Sequence, residues 1–268
     1  MARLALTIAL TTLAALCRPA VARDLQTVLN TDTLHVGVTL FAPWAARSAN
    51  GDLIGFEIDV ARQLAADMGV KVDFRAYDVE RLIPALESGE VDLIAAGLAI
   101  TPERALHVNF SAPYAESGIG IATNIALTAD VKALTDLNSD AYTIAAAEDS
   151  VAAELARRLL PRAKLKTFTT PDAASRALVA GDVQAYLEDE PVPTFLALDH
   201  PGVVDVPIDR PLLVSRAGFA VNKGDPDFLA FLNAWITARE ADTWLPSTIN
   251  YWFKTLRWRE RGGNDASR

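Results

Sequence analysis

The sequence predicts an α/β fold of two lobes, because one order of elements, β-α-β-α-β, is written twice along the chain. The first run occupies about residues 34–96 and the second about 142–187. Each alternates short apolar strands with segments of helical period, a pattern that gives helix-covered, mostly parallel sheets. One continuous doubly wound sheet satisfies the same periodicity and stays open at this point.

Leu34 to Val38 reads as the first strand. Phe56 to Met68 carries apolar residues at Ile58, Ala61, Leu64, Ala65 and Met68, which is helical spacing. Val70 to Phe74 alternates as a strand, Leu82 to Leu86 lies in a second helix, and Val91 to Ala96 is a short apolar strand. In the second run Tyr142–Ala146, Leu165–Phe168 and Gln184–Leu187 read as strands. Val151–Leu160 and Ala173–Ala180 read as the intervening helices. Beyond Pro211 come a strand (212–221), a helix (226–241) and an amphipathic segment with Trp244, Trp252, Phe253 and Trp258.

In open α/β sheets, ligands bind beyond the carboxyl ends of the strands. That rule selects Thr39–Trp44, Tyr77–Glu80 and Gly97–Arg104 in the first run, and Glu148-Asp149-Ser150 and Glu188-Asp189-Glu190 in the second. Gly97 permits close backbone approach, and Thr101 before Pro102 is a helix N-cap. Arg104 then sits near free N–H groups, an arrangement suited to a carboxylate. A surface Arg in a short helix is the plainer reading of the same spacing. Likewise Asp149 or Ser150 reads either as a ligand contact or as the cap of the helix at Val151.

Gly97-Leu98-Ala99-Ile100-Thr101-Pro102-Glu103-Arg104 followed by Phe110-Ser111-Ala112-Pro113-Tyr114 closely resembles a signature of the extracytoplasmic solute-binding proteins of family 3, which deliver amino acids to ABC transporters. Gly55-Phe56-Glu57-Ile58-Asp59-Val60, Leu82-Ile83-Pro84-Ala85-Leu86 and Gly218 to Asp225 resemble three further signatures. The resemblance runs from about Leu34 to Thr237. It implies a two-lobed, type II periplasmic-binding-protein-like fold whose ligand cleft closes between the lobes. The first lobe would comprise 23–114 and 217–268 and the second 115–216, with hinge segments near 114–118 and 213–217.

Carried over residue by residue, the resemblance makes Arg104 the clamp on an α-carboxylate, with Gly97 and Thr101 on the same loop. Asp189 matches the acid that receives the α-ammonium group. Phe41 and Trp44 match the aromatic loop against the ligand's side chain, and Val79 stands where many relatives place another aromatic. Ser150 and Asp149 fall on the loop of the second lobe opposite the carboxylate. Three departures bear on the ligand. Ala99 replaces a hydroxyl residue, which removes a hydrogen bond of ~0.5–1.5 kcal/mol. Glu148-Asp149 stands where relatives have Gly, and an acid there repels a carboxylate or accepts a second positive group. Val38 replaces an acid common in relatives selective for basic amino acids. An apolar wall there disfavours lysine, arginine and ornithine.

The carboxyl-terminal aromatics resemble those of cyclohexadienyl dehydratases, enzymes of the same fold that act on prephenate or arogenate. Those enzymes place a catalytic Glu three residues after the acid matching Asp189; here that position is Val192, which has no proton to donate. The expectation is therefore binding without catalysis and without a cofactor. Dehydratase activity is the alternative, and presentation of the ligand to a membrane sensor a third. His35, His107 and His200 lack metal-ligand spacing. Gly-x-Ser-x-Gly is absent, and Gly118-x-Gly120 is too short for a nucleotide loop.

Thirty-four acids against 25 bases give a net charge of −9, which excludes nucleic acid and anionic membrane surfaces as partners. Met1 to Ala22 reads as a secretory signal, with Arg3, an apolar run from Leu4 to Leu16, and small residues at Ala20 and Ala22. The run is shorter than the ~20 residues that span a bilayer. Bulky Leu16 before Cys17 does not fit a lipoprotein anchor. Cys17 is the single cysteine, so the mature chain is expected to use no disulfide or thiol chemistry. The expected localisation is periplasmic, with no membrane insertion after cleavage. The expected partners are a small amino acid or related carboxylate and an inner-membrane ABC permease.

Overall fold

The structure, a computed structural model, describes residues 23–208 and 210–262. The expected signal segment, 1–22, lies outside them. The first element is α1 (Leu25–Thr31), capped by Asp24, whose carboxylate accepts the Thr27 N–H at 2.8 Å. β1 (Thr33–Val38) follows, then the short pair β2 (Ala46–Arg47) and β3 (Leu53–Ile54). α2 spans Phe56–Met68, as its apolar spacing requires, and ends where Gly69 turns left-handed at φ 71°. β4 (Lys71–Ala76), α3 (Val79–Glu87) and β5 (Leu93–Ile94) complete the first run. β5 is shorter than the six residues expected. Ala95 N–H still reaches Gly37 O at 3.0 Å, but Gly97, at φ 62°, then turns the chain.

One helical turn, α4 (Pro102–Ala105), precedes β6 (Asn109–Asn124), a strand of 16 residues. The sequence reading placed only a hinge segment near 114–118 in this stretch. The second run is β7 (Thr143–Ala147), α5 (Val151–Leu159), β8 (Lys164–Phe168), α6 (Pro171–Ala180) and β9 (Ala185–Asp189). An unexpected helix, α7 (Val192–Asp199), starts directly after Pro191. β10 (Val204–Asp205), β11 (Leu213–Val221) and α8 (Pro226–Ala241) follow. The amphipathic end divides into α9 (Trp244–Phe253) and α10 (Trp258–Gly262).

The strands form one hydrogen-bonded path, β4-β1-β5-β11-β6-β9-β7-β8, with β10 beside β6. β4, β1 and β5 are parallel to one another, as are β8, β7 and β9. The long antiparallel pair β6 and β11 joins the two groups, paired from Ile119–Leu213 to Asn109–Val221 with register shifts on either side of Gly218. Hydrogen bonding alone therefore does not divide the chain. The cores do. Val36, Phe56, Leu64, Phe219, Trp235 and Trp252 pack one face of the first group, and Leu82, Leu86 and Ile94 the other. Ile119, Ile144, Leu155 and Leu187 fill one face of the second group, and Ala122, Leu178 and Tyr186 the other. Each group is thus a sheet sandwiched by helices, and the structure is the two-lobed periplasmic-binding-protein-like α/β fold.

α10 connects the halves a third time. Trp258 lies 5.8 Å from the rings of both Trp252 and Phe195, and Arg259 pairs with Asp199 of α7 at 2.9 Å. The sequence reading gave all of 217–268 to the first lobe; α10 touches the first group through Trp252 and also the helix α7.

Candidate functional site

The carboxyl ends of β1, β4 and β5 present the first set of loops, and those of β7 and β9 the second. The 97–101 loop is fixed by backbone bonds to β11. Ile100 N–H donates to Arg216 O at 2.9 Å, and Gly218 N–H to Leu98 O at 3.3 Å. Thr101 caps α4 by accepting the Arg104 N–H at 3.3 Å. The half-buried Arg104 donates one guanidinium hydrogen bond, to Ala99 O at 2.9 Å. Ala99, Thr101, Val151 and Asp189 line one cavity of about 510 Å³, so residues from both halves meet there; Arg104 is not itself among its lining residues.

Gly97 takes a left-handed conformation, and a Cβ on it would lie 2.9 Å from the Trp44 ring. Its N–H donates to Glu57 Oε1 at 2.6 Å, and the same oxygen accepts the Tyr114 hydroxyl at 2.7 Å. Glu57 is fully buried, and its Oε2 has no hydrogen-bond partner among the described residues. Burial pushes its pKa up to about 7 against those two donors.

The second set of loops is acidic. Asp189 is exposed at the end of β9. Desolvation of its carboxyl, then the neighbouring charge of Glu188, hold its pKa above the usual carboxylate value. Glu188 itself is buried and accepts the Tyr186 hydroxyl at 2.7 Å and the Asp189 N–H at 3.0 Å. Asp149 is exposed at φ 53°.

Several expected contacts are placed differently. Trp44 is only 4% exposed and packs edge-on against Phe56 and Phe253; it supports Gly97 from beneath rather than facing the cleft. The Ser150 hydroxyl accepts the Ala153 N–H at 3.1 Å and donates to Ala147 O at 2.7 Å, so it caps α5. Val38 is fully buried in β1, so it forms no wall against a ligand. Phe41, 54% exposed, and Val79, 42% exposed at the start of α3, keep free surfaces. A smaller cavity of about 430 Å³ lies beside them, lined by Thr39, Leu40, Tyr77 and Asp78.

The family model for bacterial extracellular solute-binding proteins, family 3, matches residues 34–255. The chain belongs to that family. It is 31% identical over 163 residues to the probable amino-acid-binding protein YxeM of Bacillus subtilis (strain 168), covering 60% of this chain and 61% of that protein. It is 33% identical to the solved structure of the ancestral cationic amino acid solute-binding protein AncCDT-1, with a TM-score of 0.75 over 85% of this chain and 99% of that one. An ancestral cyclohexadienyl dehydratase is 27% identical, with a TM-score of 0.67 over 88% and 98% of the two chains.

In this solute-binding protein the sequence reading missed Glu57 and Tyr114 as supports of the 97–101 loop. Glu57 had a signal. It is a charge on the apolar stripe of α2, flanked by Phe56 and Ile58 and in line with Val60 and Ala61, all fully buried. A charge on a buried stripe needs partners.

Proposed function

We propose that this chain captures a small α-amino acid in the periplasm, after signal cleavage near Ala22, and delivers it to an ABC permease. The lobes divide near 114–118 and 213–217 and close on the ligand. Arg104 holds the carboxylate, Asp189 the ammonium group, and Phe41 and Val79 pack the side chain. The observation that carries this reading is the shared cavity of Thr101 and Asp189, with Arg104 tethered to Ala99 on its wall. One cation on the first lobe and one anion on the second favour the closed form only with a zwitterion between them.

A cationic amino acid is the second reading, and one observation favours it. Around the cleft, Asp78, Glu80, Glu148 and Asp149 stand without an ion pair among the described residues, and buried Val38 does not repel a side-chain ammonium. Catalysis is not part of the proposal. Val192 carries no proton, and Glu188 is bound by Tyr186 and its own chain.

Thermal unfolding of protein cleared of carried-over ligand tests these readings. Uncharged and basic amino acids, keto acids, polyamines and prephenate form the panel. A ligand at ~100 times its dissociation constant adds ~2.7 kcal/mol, a midpoint rise of roughly 5–10 °C. A rise with an α-amino acid supports the clamp. A rise only with polyamines or prephenate, or turnover of prephenate, contradicts it.

A further inference from the structure

We propose that a second cavity, behind the crossing strands, binds a small zwitterion with an apolar body. It has a volume of about 460 Å³ and shares no lining residue with the cavity of Thr101 and Asp189. Tyr114 and Phe253 give it an aromatic wall from the first group, while Glu190, just after β9, enters from the second. A bound molecule therefore bridges both halves of the chain.

The polar groups are set for opposite charges. Arg210 and Lys254 face the cavity, and neither has an ion-pair partner within 4.0 Å among the described residues. Glu190 and Glu240 line the same cavity. Glu190 uses one oxygen to accept the Thr194 hydroxyl at 2.9 Å; burial raises its pKa, against that hydrogen bond and the nearby charge of Lys254. Its position is built in. The carboxyl group lies against Gly120, where any Cβ would collide with it. Glu116, also on the wall, is already paired with Arg216 at 3.1 Å. Two bases without a salt bridge among the described residues, two acids and an aromatic wall match a carboxylate, an ammonium group and an apolar side chain on one molecule.

Calorimetric titration with L-phenylalanine tests the site, using protein whose cleft is disabled by Arg104→Ala and Asp189→Asn. The expected result is one molecule bound per chain. Adding Arg210→Gln and Lys254→Met should weaken that binding tenfold or more, and N-acetyl-L-phenylalaninamide, which lacks both charges, should give no heat. No binding to the cleft-disabled protein overturns the proposal. So does unchanged affinity in the four-fold variant, or equal binding of the neutral analogue. Titration of the otherwise wild-type protein carrying only Arg210→Gln and Lys254→Met reports the cleft separately, so failure of one site is distinguishable from failure of the other.

Discussion

The hydroxyl of Tyr114 donates to the carboxylate of Glu57 at 2.7 Å, and through that one oxygen the crossing strand β6 is tied to Gly97 of the 97–101 loop. α2, the loop and the strand between the lobes therefore share a single buried acid. Tyr114 is held in turn by stacking on Phe219, ring centroids 4.1 Å apart.

That acid makes stability depend on pH. The folded pKa of Glu57 is about 7 against an ordinary 4.5, so between those values the folded chain binds more protons than the unfolded one. Stability is then highest below about pH 4.5 as far as this group is concerned, and falls as pH rises to about 7, by on the order of 3 kcal/mol. Glu57→Gln should remove this dependence. Thermal midpoints measured from pH 5 to 8 should show the difference, variant minus wild type, growing more positive with pH. A difference that stays constant across that range contradicts the assignment.

Gly97→Ala should weaken both fold and binding. The substitution forces a side chain into left-handed backbone and against the Trp44 ring, a cost of about 1–3 kcal/mol. Urea unfolding and ligand titration on the same sample check it; a neutral effect on both would mean the loop relaxes freely.

Ser150→Ala separates capping from ligand contact. Loss of the cap should cost about 1 kcal/mol of stability. Ligand affinity should change less than threefold, because both hydroxyl roles are already filled within the chain. A tenfold loss of affinity would restore Ser150 to the site.

Trp258→Ala should destabilise the protein by about 3–5 kcal/mol, as expected for a large buried aromatic. Chemical denaturation measures this. A loss below 1 kcal/mol would mean that α10 is not docked on α7 in solution.

The regular part of the fold was legible because period carried it. α2 runs over the residues its apolar spacing marks. The irregular part was not. β6 contains Pro113, Gly118 and Gly120, residues that read as breakers, yet its pairing with β11 and β9 overrides them. α7 begins at Val192 behind a proline and shows no clear stripe. At the site, Thr101 as a cap was readable from Thr-Pro alone. Trp44 was not, because an aromatic next to a ligand loop looks the same in sequence whether it faces the ligand or lies beneath its backbone.

The most direct measurement is calorimetric titration of the cleared wild-type protein and of Arg104→Ala with the amino acid that gives the largest thermal shift. The account predicts one molecule per wild-type chain, and at least a hundredfold loss of affinity in the variant with its unfolding midpoint nearly unchanged, since the guanidinium makes a single hydrogen bond among the described residues. Equal affinity in the two proteins would contradict it.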